Sequence, residues 1–195
     1  MIQEIQDFFK EVSYIVTPEE FQAALNFFSV EREHIRNKVD MLSWDASDDD
    51  QQHAIDYLSK HMLPTEYIYL IFAGSYGIEN LSGNPSCVKY CIDKSKWGNA
   101  AETIIKIGWP NIEPIIIPIF YLLLDLNWPG SLSIYNYLLT LPQDVLYTQM
   151  KKIVDNPQWF KQMDYQDLKW QIDDLCYDSG IDFETLFTKD GGRFA

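Results

Sequence analysis

Apolar residues recur at intervals of three and four along most of this chain. Ile2, Ile5, Phe8, Phe9, Val12 and Ile15 form the first such stripe, which the period of an α-helix gathers onto one face. Thr17-Pro18-Glu19-Glu20 predicts the next helix start. A hydroxyl can cap there, proline suits the first helical position, and acids favour the positive end of the helix dipole. Phe21, Leu25 and Phe28 make the inner face of that helix, and Ile35, Val39 and Leu42 that of another from Glu31 to Trp44. Ser47-Asp48-Asp49-Asp50 caps a further helix with Ala54, Ile55 and Leu58 inside, and Thr65 opens a short apolar one to about Ala73.

Residues 74–85 hold three glycines, two asparagines and a proline, which predicts a loop. If 1–195, read as a single domain, divides at all, it divides here, into 1–73 and 86–190. Helices are expected beyond it at 86–94, 96–107, 112–126, 131–141, 143–154 and 165–178, with 191–195 as a loose tail. The apolar runs Tyr67–Ile71 and Ile115–Ile117 lack the alternation of a half-buried strand. Each lies in a longer segment with helical ends, so both are read as helix.

Three units share one order, in which a helix with small or apolar inner residues meets a turn with proline. They are Gln52–Leu58 before Pro64, Asn99–Ile105 before Gly108-Trp109-Pro110, and Ser133–Leu139 before Pro142. Spacing of that order belongs to helical-hairpin repeats, whose pairs bury their faces only against neighbouring pairs. The expected fold is all-α: stacked antiparallel helix pairs of the HEAT or armadillo kind, with an irregular helical bundle as the alternative.

Composition changes this picture little. With 47% hydrophobic and 15% aromatic residues the chain is not disordered. Cys87, Cys91 and Cys176 form no disulfide framework, and the start of the chain lacks the basic and apolar stretches of a signal peptide. No apolar run reaches the ~20 residues that span a bilayer. The expected location is cytoplasmic. Charge changes the picture more. Twenty-nine acids against fifteen bases leave a net charge of −14, a field that repels nucleic acid and anionic membrane and attracts basic proteins.

Candidate chemistry is sparse. Cys87 and Cys91, four apart, could share a zinc ion with His34, His53 or His61, but no second cysteine pair follows. A nucleophile needs an activating base, and all three histidines fall in the first 61 residues. There is no Gly-x-Ser-x-Gly elbow, phosphate loop, dinucleotide fingerprint or His-Glu-x-x-His run. Adjacent acids such as Asp48-Asp49-Asp50 and Asp173-Asp174 read as solvated helix faces. No catalytic, cofactor or metal residues are therefore assigned.

The acidic runs point to binding instead. Asp164, Asp167, Asp173, Asp174 and Asp178 share one segment with Trp159, Tyr165, Trp170 and Tyr177. Charge steers the encounter of two proteins, while buried aromatics supply affinity. Asp164, Asp167, Trp170, Asp173, Asp174, Tyr177 and Asp178 are thus expected in a surface for a basic protein. Leu124-Asp125-Leu126-Asn127-Trp128-Pro129-Gly130-Ser131 reads first as a rigid corner, with Pro129 at a first helical position and Trp128 on the core. A second reading puts Asn127 and Trp128 on a binding ridge.

The same region resembles an uncharacterised bacterial family of HEAT-like helical proteins. The resemblance runs through Trp97-Gly98-Asn99-Ala100-Ala101, Ile107-Gly108-Trp109-Pro110, Ile117-Pro118 and Asp125-Leu126-Asn127-Trp128-Pro129-Gly130, and covers about Lys96 to Val154. Where that family has Trp-Leu-Gln-Asp, this chain has Leu122-Leu123-Leu124-Asp125, so no role passes to the missing tryptophan and glutamine. Small acidic proteins of this kind look like the immunity proteins that bacteria encode beside toxins. The resemblance implies the fold, while size, acidity, the lack of catalytic groups and a solenoid-like surface point to an inhibitor of a basic toxin. A general adaptor for peptides or proteins, and an enzyme with an unrecognised carboxylate or thiol site, are the alternatives.

Overall fold

In the computed structural model, which describes residues 33–67, 70, 94–157 and 162–187, the fold is all-α, with no strand among the described residues. The helices are α1 (Glu33–Asp40), α2 (Asp48–His61), α3 (Trp97–Ile107), α4 (Ile116–Tyr121), α5 (Ser131–Leu138), α6 (Gln143–Asp155) and α7 (Gln162–Ser179). The expected stripe from Ile2 to Ile15, the helix start at Thr17-Pro18, the helix 86–94 except for Lys94, the loop 74–85, the tail 191–195 and the pair Cys87 and Cys91 lie outside the described residues.

Ser47 starts α2 as expected: its Oγ accepts from the Asp50 N–H at 3.2 Å, and Asp48, Asp49 and Asp50 fill the first turn. The expected helix 112–126 is instead three pieces. Glu113–Ile115 is a 3-10 turn with Pro114 in its first positions, α4 follows, and Leu122–Leu124 is a second 3-10 turn. Pro118 lacks an N–H and so fits only the first turn of an α-helix, which confines α4. At its end the Leu122 N–H turns to Ile119, three residues back, which tightens the chain. The expected helix 131–141 stops at Leu138, because Pro142 disfavours helical backbone just before it.

The three helices that share a repeated pattern are neighbours: α2 packs on α3, and α3 on α5. α7 lies against the Leu122–Leu124 turn and α6, and the turn Phe183–Phe187 closes over α6. One apolar cluster joins them, from Ile35 and Val39 through Ile104, Phe120 and Met150 to Leu175 and Leu186. Polar stitches align the α1–α2 corner with α3. Asn99 Nδ2 donates to the Leu42 carbonyl at 2.7 Å and to Gln51 Oε1 at 2.6 Å. Lys96 pairs with Asp40 at 2.9 Å, and Lys106 pairs with Asp56. The Lys106 ammonium, then the Gln52 amide, hold the Asp56 carboxyl below its ordinary range.

Candidate functional site

At ~100° per residue, α7 divides cleanly into two faces. Leu168, Ile172, Leu175 and Cys176 fall on one side and are all buried. Gln166, Asp167, Trp170, Asp173, Asp174, Tyr177 and Asp178 fall on the other and are all exposed. These seven positions fit within an arc of roughly 140°. Trp170 is 72% exposed and Tyr177 87% exposed, far more than rings of that size require once a chain has a core to join. They stand seven residues apart, about 10 Å along the axis, and so face the same way.

The acids of this face stand outside the ion pairs of the described residues, as do those that open α2. Lys96, Lys106, Lys151 and Lys152 each pair with an acid, namely Asp40, Asp56, Asp155 and Glu113. Among the described residues no cation pairs with Asp167, Asp173 or Asp174. Asp178 has a local duty: it accepts the Tyr135 hydroxyl at 2.7 Å. Burial first, then that hydrogen bond and the charge of Asp178, push the Tyr135 phenol well above its ordinary range. Asp164 falls within α7, but its side chain lies outside the described residues, as does Trp159. Tyr165 is partly buried against the core, its hydroxyl 3.5 Å from the Val154 carbonyl.

Sequence reasoning missed the neighbours of Trp170. The turn Phe183–Phe187 brings two phenyl rings together, their centroids 5.0 Å apart. Lys169 lays its ammonium over both, 5.7 Å from the Phe183 centroid and 4.7 Å from that of Phe187. An open cleft of about 240 Å³ lies beside them, lined by Gln166, Lys169, Trp170, Asp173 and Phe183. The four-residue spacing of the two phenylalanines was the available signal. A second exposed tryptophan, Trp44, sits beside the acids that open α2.

The corner at Asn127-Trp128-Pro129-Gly130 follows its structural reading. Trp128 is half-buried and its ring packs tilted, 57° between planes and 5.0 Å between centroids, against that of buried Trp97. Asn127 is exposed, and both its backbone N–H and its Nδ2 donate to Asp125 Oδ1. Pro129 does not take the first helical position. It precedes Gly130, which caps α5 in left-handed backbone with φ +82°. This corner and the α7 face are separate features of the surface.

Two of the histidines and Cys176 are engaged structurally. His34 and His61 both contact the Tyr57 ring. No group of three His, Cys, Asp or Glu able to hold a metal occurs among the described residues. Cys176 is buried with its Sγ 3.9 Å from Met150 Sδ, and burial, then the charges of Asp173 and Asp182, push its thiol up to about 12. In a Cys87→Ser, Cys91→Ser background, iodoacetamide at pH 8.5 is expected to alkylate the unfolded chain ~10³-fold faster than the folded one. The folded protein also keeps the Cys176 and Tyr135 protons that the unfolded chain releases. Stability from these groups is present below about pH 9 and falls as pH rises toward 12. A urea midpoint that stays constant from pH 8 to pH 11 contradicts this assignment.

Compared with protein-family models, with characterised proteins and with solved structures, the chain matches none.

Proposed function

We propose that this chain is a non-catalytic protein-binding module that docks one basic protein on the outward face of α7. In biological terms it is an immunity-type inhibitor that neutralises a basic bacterial toxin by covering its active cleft. The observation that carries this reading is the pair Trp170 and Tyr177, 72% and 87% exposed in one line on a helix where, among the described residues, no cation pairs with Asp167, Asp173 or Asp174. Large rings in that position cost solubility unless a partner covers them, and tryptophan, tyrosine and arginine dominate the energetics of protein interfaces. Unpaired carboxylates around them accelerate encounter with an oppositely charged surface. The net charge of −14 extends that attraction beyond the face itself.

The test is affinity capture from lysate of the source organism at low salt, followed by mass spectrometry and binding kinetics. The expected result is one basic protein recovered at near-equal amount, whose association slows ~10-fold or more between about 20 mM and 500 mM salt. A flat salt dependence, or recovery of many weak partners, sinks the inhibitor reading, and the latter favours an adaptor.

A further inference from the structure

The cleft beside Trp170 has the chemistry of a receptor for one particular side chain. Trp170 gives it a large, bare ring, Phe183 an apolar wall and Asp173 a carboxylate one turn further along α7. Lys169, the lining cation, is already engaged: its ammonium lies over the Phe187 and Phe183 rings at 4.7 Å and 5.7 Å. The same contact shows that the aromatics of this surface hold a cation. Among the described residues no cation of the chain lies over Trp170, although indole binds cations better than phenyl. Asp173 likewise has no ion-pair partner there. A cation placed against Trp170 therefore meets a ring and a carboxylate that the fold leaves unused.

We infer that the Trp170–Asp173–Phe183 cleft receives an arginine side chain of the basic partner. Its guanidinium stacks on the indole and its N–H groups donate to the Asp173 carboxylate. Arginine fits better than lysine for two reasons. Its planar head matches the flat ring, and its weaker hydration costs less to strip beside Phe183. This inference rests on the docking role proposed for the α7 face and names the residue type that the face selects.

The probes are hexa-arginine and hexa-lysine, titrated into the full chain at low salt. The readouts are affinity and the Trp170 indole N–H resonance, identified by its loss in Trp170→Ala. Trp170 is largely exposed, so that variant retains its fold. Hexa-arginine is expected to bind roughly threefold more tightly than hexa-lysine and to shift the Trp170 resonance. Trp170→Ala and Asp173→Asn should each remove the preference. Equal affinities for the two peptides, or a preference that survives both substitutions, overturns the cleft. If equal affinities come with shifts at Asp167, Asp174 and Asp178, the cleft falls and the docking face stands. If the arginine preference maps to Trp170 but the captured protein binds Trp170→Ala unchanged, the cleft stands and the docking role falls.

Discussion

Gly130→Ala should destabilise the protein by about 2–5 kcal/mol, the sum of a left-handed backbone penalty and overpacking. At φ +82° an L side chain is strained whatever space surrounds it. Here there is no space either. A Cβ on Gly130 would lie 2.6 Å from Ala101 Cβ, 2.8 Å from the Trp97 carbonyl oxygen and 3.3 Å from Gly98 Cα. Two of those three atoms are backbone of α3, so relief requires the corner before α5 to move off α3. That shift would also disturb the Trp97–Trp128 ring contact and the 2.7 Å bond from Ser131 Oγ to the Leu122 carbonyl. For a chain of this size the expected fall in melting temperature is roughly 5–20 °C, read by circular dichroism. Gly98→Ala is the internal control. An added Cβ there meets nothing within 4 Å, and the residue lies in α3, so alanine should be neutral or stabilise by up to ~1 kcal/mol. Equal effects at the two glycines would show that the close approach is not what the motif protects.

The double substitution Trp170→Ala, Tyr177→Ala should weaken binding of the captured partner about 10²–10³-fold, the effect of two interface anchors worth ~2 kcal/mol each. Surface plasmon resonance should place most of that loss in dissociation. The same variant should change folding stability by no more than ~0.5 kcal/mol, because neither ring contributes appreciably to the core. Replacing Asp167, Asp173 and Asp174 by asparagine should act differently: association slows and its salt dependence weakens. Unchanged affinity in the double variant would move the interface elsewhere, with Trp44 and the acids that open α2 as the next face to test.

Much of this architecture was legible in the order of residues. Ile35, Val39 and Leu42, Ala54, Ile55 and Leu58 were read as inner faces and are buried. The caps and prolines placed most described helix ends to within a few residues. Among the expectations that failed, two turned on backbone geometry that the sequence pattern does not report. Residues 112–126 are apolar almost throughout, yet Pro114 and Pro118 break them into a 3-10 turn, a six-residue helix and another 3-10 turn. Pro129 looked like a helix start, but the capping position went to Gly130, since only glycine tolerates both the positive φ and the contact with α3.

The α7 segment marks the boundary between the two kinds of information. Its composition announced acids mixed with aromatics, and its periodicity separates Leu168, Ile172 and Leu175 from Asp167, Trp170 and Asp174. Sequence by itself thus determined the helical class, the acidic field and the candidate face, because periodicity and net charge are local or additive properties of the chain. Periodicity also groups Tyr165 with Ile172 and Cys176, but it could not decide how far Trp170 and Tyr177 would be left uncovered. Nor could it seat Lys169 over Phe183 and Phe187, or press Gly130 against Ala101. Those facts depend on which neighbour each surface meets, and the packing of elements distant in sequence decides that.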